Sequence, residues 1–357
     1  MGLLFLFFAL DSTSATIFTS GANIRNILGN QAVTGLVALA MVVPLVAGYF
    51  DLSVAAVAGA SNVACAAAIG THHTGIVLGI LIALVVGGLI GSINGFLVAK
   101  LRLNGFVVTL GTYTLLLGLI QLYTNGQLIT QGIPLSFGAW GAKHWLGIPR
   151  PFILLVVIAL AAWYLLTQVP YGRYLASVGS NEGAARLVGI NVTRVIWASF
   201  VVSGVLAAAA GALQTSRAAG ADPTVASGLL FPALAAVFLG ATTITPGRYN
   251  VWGAIVGVYF VAMTVSGFTL LGANVWVQPV FNGAALVFAV ALSTFIARHR
   301  ERREASGNSE DESGSRRRRW LSRLESQSGQ GIPFGLTTKK DTREGGLEDE
   351  FETTKME

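Results

Sequence analysis

Charge is what this chain of 357 residues has least of. Lys, Arg, Asp and Glu together make up 11% of it, against about 25% in soluble domains. The shortage is uneven. Residues 1–297 carry ten basic side chains and only four acidic ones, Asp11, Asp51, Glu182 and Asp222. A body of that size with so few charges cannot cover a water-facing surface, which excludes a soluble enzyme and leaves a polytopic, all-α membrane protein in a lipid bilayer. The single cysteine, Cys65, excludes an internal disulfide and reads as a packed thiol in the apolar run 63–69. No group of His, Cys and acidic residues has metal-ligand spacing, and the adjacent His72 and His73 read as a solvated turn. The phosphate loop Gly-x-x-x-x-Gly-Lys-Ser/Thr is missing as well, so no ATP site of its own is expected. The sequence thus predicts no metal, no cofactor and no catalytic residue. Its net charge of +6 comes from basic residues scattered between apolar runs, a pattern that fits the positive-inside rule and not a nucleic-acid partner.

What the chain has in abundance is apolar length, with 53% hydrophobic residues. A membrane helix needs about 20 mainly apolar residues. On that rule about ten helices are expected, near 2–19, 31–48, 52–69, 75–98, 106–124, 152–168, 195–216, 231–245, 251–271 and 277–297. The first is expected to be short or truncated, because Asp11-Ser-Thr-Ser follows its apolar start at once. Residues 1–297 form the expected transmembrane domain. Residues 298–357, rich in Ser, Gly, Glu and Arg, form a charged tail with too little apolar surface to order itself. Within the tail, Arg316 to Arg323 surrounds Trp320 and Leu321, which reads either as a contact with anionic lipid or as a solvated linker. Placing the tail in the cytoplasm puts Lys100, Arg102, Arg173, Arg186, Arg194 and Arg248 inside and Arg25, Lys143, Arg150 and Arg217 outside. Both termini are then cytoplasmic.

Polar residues inside a membrane body are held by protein or line a cavity. Four interruptions stand out. Pro44 to Ser53 contains Asp51, which can cap the following helix or face a ligand. Asn94 sits in the otherwise apolar helix 75–98 and must pair across helices or face an aqueous path. Thr109 lies in a helix start rich in hydroxyls, and Gly240 to Asn250 separates two later helices. The surroundings of the first and last breaks are alike, which suggests two related halves but is also within reach of chance. Residues 169–194 form the longest polar segment. There Asn181 can cap a short helix that Glu182 complements and Gly189 ends, with Ala184, Ala185, Leu187 and Val188 as its apolar face. Such a helix suits either a partner's groove or the membrane interface.

The run Gly172-Arg-Tyr, Gly179, Asn181-Glu-x-Ala-Ala-Arg-Leu-x-Gly189-Ile-Asn191-Val closely resembles the coupling region of permease subunits from bacterial ATP-binding-cassette importers of the ribose, galactose, xylose and autoinducer-2 type. Asp51-Leu-Ser53-Val, Asn94-Gly95, Phe106-Val-Val-Thr109-Leu-Gly111-Thr, Ser203-Gly204 and Pro223 resemble the same family, in its order, over about residues 23–297. The chain departs from the family's usual pattern at Tyr49, Phe50 and Ala55, and at Pro246-Gly247, where glycines are common. The resemblance implies a non-enzymatic transport subunit of the bacterial inner membrane. It implies cytoplasmic ATPase subunits, an extracytoplasmic solute-binding protein, a second permease subunit (identical or not) and a small polar solute of the sugar class. It also assigns Asn181, Glu182, Ala185, Arg186, Gly189 and Asn191 to ATPase coupling. Asp51, Ser53, Asn94, Phe106 and Thr109 fall to the substrate path. The alternative is a secondary carrier driven by an ion gradient, for which Asp51 is the candidate relay.

Overall fold

The computed structural model describes residues 2–10, 15–274 and 276–291, so the expected tail at 298–357 lies outside the described residues. In chain order the helices are α1 (Gly2–Leu10), α2 (Ala15–Phe18), α3 (Gly21–Val46), α4 (Val54–Ala66), α5 (Ile76–Gly95), α6 (Gly105–Thr124), α7 (Leu135–Ala142), α8 (Arg150–Thr167), α9 (Pro170–Ser180), α10 (Glu182–Leu187), α11 (Val192–Ala218), α12 (Val225–Gly240) and α13 (Val251–Leu270). A shorter apolar helix, α14, follows at Val277–Ala291. Wider π-helical turns extend α4 through Ala67–Thr71 and α5 through Phe96–Lys100. Two short strands, β1 (His144–Trp145) and β2 (Ile148–Pro149), pair into a hairpin.

The protein is all-α and polytopic. Among the described residues seven helices are long and apolar enough to cross a membrane: α3, α4 and α5 with their π turns, α6, α8, α11 and α13. α12 and α14 are apolar but shorter. The expected first span is described as two helical pieces, α1 and α2. The expected span at 231–245 instead runs from Val225 to Gly240. It stops there because the Thr242 and Thr243 hydroxyls donate to the carbonyls of Leu239 and Gly240, at 2.7 and 2.8 Å, and turn the chain. α7, α9 and the hairpin were not expected as elements.

The bundle is organised around α11, which packs on α5, α4 and α3. α5 shows how a helix with no polar face sorts its sides. Val77, Leu81, Val85, Leu89 and Ile93 recur every four residues and are exposed, while Gly79, Ala83, Gly87 and Gly91 are buried. Bulk faces outward and small residues face the neighbour, because in lipid close backbone contact takes over the role of the hydrophobic effect. The central core is formed by α3 and α4, with Leu155 and Ala159 of α8 and Ala233, Ala236 and Val237 of α12 packed against them.

Helix direction sends the connections 47–53, 101–104, 169–191 and 241–250 to one end of the bundle and the hairpin to the other. Every helix of the list above that starts from the first end with a side-chain cap uses asparagine. Asn104 opens α6, Asn181 opens α10, Asn191 opens α11 and Asn250 opens α13, each accepting a backbone N–H of its first turn. The two breaks with similar surroundings meet on one ring of α12: Phe50 of the first stacks on Phe238 at 6.2 Å, and Tyr249 of the second meets Phe238 edge-on at 5.7 Å.

Candidate functional site

The first feature is a buried polar network at the α4 N-terminus. Asp51 precedes that helix, and its Oδ1 accepts the backbone N–H of Ser53 at 3.1 Å and the Ser53 hydroxyl at 2.6 Å. Its Oδ2 accepts the Ser203 hydroxyl from α11 at 2.9 Å. Asn94 of α5 donates to the Ser53 oxygen at 2.9 Å and accepts from Thr112 of α6 at 2.7 Å. Thr109 pins the same break from α6. Its oxygen accepts the Leu52 N–H at 3.2 Å, and its hydroxyl lies 3.3 Å from the Phe50 carbonyl and 2.8 Å from that of Gly105. Asp51, Ser53, Asn94 and Thr109 are all buried. Residue 51 lies between the spans ending at Val46 and starting at Val54. Burial pushes its carboxyl above the usual range, while the bonds from Ser53 and Ser203 act the other way. The carboxylate meets only neutral donors, so the network ties four helices without an ion pair.

Replacing Asn94 by leucine removes both of its bonds and leaves Thr112 and Ser53 each one partner short. The expected outcome is a loss of roughly 1–3 kcal/mol of stability, read as a lower thermal midpoint of the purified protein. An unchanged midpoint would show that the two bonds are dispensable.

The second feature is a cavity of about 670 Å³ at the same end, lined among others by Tyr49, Arg102, Phe106, Glu182 and Arg186. It brings Phe106 beside the coupling candidates. α10 forms because Asn181 accepts the Ala184 N–H at 2.9 Å, Glu182 fills the first turn, and Arg186 fills the last. Glu182 and Arg186 form an ion pair one turn apart, partly exposed and therefore weak in itself. Gly189, with φ of 84°, takes the left-handed conformation that ends the turn. Ala185 is the buried anchor of α10, and Leu187 and Val188 project from its end, 91% and 76% exposed. The expected apolar face is therefore split between an inward and an outward part. Asn191 caps α11 through the Arg194 N–H at 3.1 Å.

One contact joins the two features. The Tyr49 hydroxyl donates to Glu182 Oε2 at 3.3 Å. Burial raises the Tyr49 phenol, and the Glu182 charge and hydrogen bond add to it. Ser203, Thr112 and Tyr49 were not among the sequence candidates for the site. Ser203 and Thr112 lie in stretches that resemble the family, but as single hydroxyls among many on their helices they carried no signal of a role. At the opposite end, Arg25, His144 and Arg217 line a cavity of about 440 Å³. Among the described residues no cluster of three or more His, Cys, Asp or Glu suited to a metal occurs.

Comparison with known proteins adds the following. The family model described as branched-chain amino acid transport system / permease component matches residues 23–290. The ribose import permease protein of Escherichia coli K12 is 32% identical over 290 residues, 80% of this chain and 90% of that protein. The ribose import permease protein of Bacillus subtilis is 36% identical over 292 residues, 81% of this chain and 90% of its own. An L-arabinose ABC transporter permease protein of Azospirillum brasilense is 30% identical over 297 residues, 82% and 87% of the two chains. No solved structure matches.

Proposed function

The chain belongs to the family of branched-chain amino acid transport system permease components, and from that premise we propose that it is the membrane-spanning subunit of an ATP-binding-cassette importer that carries a sugar inward. The observation that carries this reading is near full-length similarity, at 32–36% identity, to ribose import permeases. Relatives named for ribose, allose and arabinose support the sugar class without choosing one sugar.

In this reading residues 1–297 are the permease domain of a multi-pass protein of the bacterial inner membrane, and 298–357 a charged tail. The α10 end faces the cytoplasm, since six of the ten basic residues of that domain lie there. ATP is hydrolysed on separate cytoplasmic subunits that grip α10, with Leu187 and Val188 as the exposed apolar point of contact. Asn181, Gly189 and Asn191 fix the ends of that handle, Ala185 seats it, and Glu182 and Arg186 give it polar contacts. The arginine-lined cavity at the hairpin end receives the solute-binding protein, and a second permease subunit completes the pathway. Phe106 faces the path, while Asp51, Ser53, Asn94 and Thr109 hold its polar wall in place.

The test is reconstitution of the complex in vesicles, with its ATPase subunits inside and loaded solute-binding protein outside. ATP-driven sugar uptake is expected. Uptake by the permease alone, under an ion gradient and without nucleotide, would refute the reading. In the same assay Glu182→Lys reverses the charge beside Arg186 and removes the acceptor for Tyr49. It is expected to lower uptake about tenfold, equivalent to about 1.4 kcal/mol, with solute-binding protein still docking. Wild-type uptake in that variant would remove Glu182 from the coupling surface.

A further inference from the structure

We propose that Tyr49 is a positioning residue: its hydroxyl latches the 47–53 break to Glu182 on α10, so that a displacement of α10 is carried to the buried Asp51 network. The proposal rests on the reading above that an ATPase partner moves α10. The segment is built like a lever. Gly48, at φ of 83° with open space where a side chain would stand, provides the pivot. Tyr49 then reaches α10 through its hydroxyl, 133 residues away in sequence, while its ring meets Phe200 of α11 edge-on at 6.5 Å. Phe50 turns the other way and stacks on Phe238 of α12. Thr109 of α6 takes the Leu52 N–H and reaches the Phe50 carbonyl, and Ser203 of α11 holds Asp51. Four consecutive residues, Tyr49 to Leu52, therefore touch α6, α10, α11 and α12, and among the described residues the one side-chain hydrogen bond between the break and α10 is that from Tyr49.

The latch also explains the geometry of Glu182. Its Oε1 pairs with Arg186 within α10, and its Oε2 accepts the Tyr49 hydroxyl at the cavity wall. The carboxylate is thus oriented by its own helix and offered to the neighbouring break. The cavity beside it gives α10 room to shift without colliding with the α5–α6 connection.

Tyr49→Phe keeps the ring and its contact with Phe200 and deletes only the hydroxyl. In the reconstituted complex it is expected to lower sugar taken up per ATP hydrolysed about three- to tenfold, as for loss of an ordinary hydrogen bond, since the 3.3 Å contact is long and the Glu182 carboxylate partly exposed. In a Glu182→Ala background the same substitution is expected to have no further effect, because the acceptor is already gone. A purely packing role would give equal effects in both backgrounds, and that result overturns the proposal. A second measurement does not depend on the stability of Tyr49→Phe. With cysteines at 49 and 182, a short bis-maleimide bridge replaces the latch covalently and is expected to raise the ratio above that of the unbridged pair. No gain on bridging also overturns the proposal. The wild-type complex separates the two levels. ATP-driven uptake by wild type with an equal ratio in Tyr49→Phe overturns the latch alone, whereas no ATP-driven uptake by wild type overturns the functional reading and the latch with it.

Discussion

Leucine in place of Gly204 is expected to abolish recovery of folded protein from the membrane. Gly204 of α11 faces Gly87 and Gly91 of α5, and a Cβ built at 204 would stand 2.2 Å from the Gly87 carbonyl oxygen and 3.1 Å from the Gly91 Cα. The contact is reciprocal, with a Cβ at 87 standing 2.4 Å from the Gly204 oxygen. The obstruction is backbone on both sides, so no rotamer change relieves it, and only separating the helices would. Overpacking an ordinary core site costs about 1–3 kcal/mol, but here separation would also break the contact around which the bundle is organised. Lipid supplies no hydrophobic drive to restore it. The check is yield of monodisperse protein in detergent and its thermal midpoint. Gly118→Leu is the control, since nothing lies within 4 Å of its Cβ position on the exposed side of α6. Normal yield and midpoint for Gly204→Leu would show that α5 and α11 do not pack through these glycines.

That contact also shows where sequence reading succeeds and where it stops. The apolar runs located the spans because hydrocarbon thickness sets a length. The ends of α10 were readable because capping is local: Asn181, Glu182 and Gly189 act within about a turn of it. Which helix lies at the centre was not readable. α3 and α6 share a mean hydropathy of 1.7 over their apolar windows, yet that of α3 is largely buried and that of α6 largely exposed, since a lipid-facing surface is as hydrophobic as a core. The resemblance put Asp51, Ser53 and Asn94 on one path, but the hydrogen bonds that join them, and Ser203 with them, lay beyond reach for another reason. They depend on α5 and α11 crossing α4 at one level, and the Ser203 bond spans 152 residues. A local role for Asp51 at the α4 start could be read, although its carboxyl takes the N–H of Ser53 ahead of the helix and leaves α4 without a side-chain cap. Its tie to Ser203 could not. Tyr49 was noticed for its bulk where small residues were expected, and bulk alone gave no hint that the hydroxyl meets Glu182.

The strongest separation of roles is expected from two substitutions at Asp51. Alanine removes every acceptor, stranding the hydroxyls of Ser53 and Ser203 and the Ser53 N–H at the start of α4. Hydrogen bonds to a charged group are worth about 1.5–3 kcal/mol each and are not additive within a network. A loss on the order of 3 kcal/mol is therefore expected, with uptake falling about a hundredfold as the break loses its fixed shape. Asparagine should behave differently. Its Oδ1 still accepts from Ser53, and its Nδ2 can donate to the Ser203 oxygen once that hydroxyl rotates away. The charge, which burial disfavours, is removed at the same time. Since burial raises the folded-state pKa of Asp51, the wild-type protein loses stability relative to Asp51→Asn as pH rises from the ordinary carboxylate range toward that raised value. The asparagine protein is thus expected to fold at least as well as wild type near neutral pH and to keep ATP-driven uptake. Thermal midpoints across pH, with uptake in the reconstituted complex, check both arms. A carrier that relays protons through Asp51 would reverse the pattern, because a side chain that cannot titrate would stop transport however well it folded.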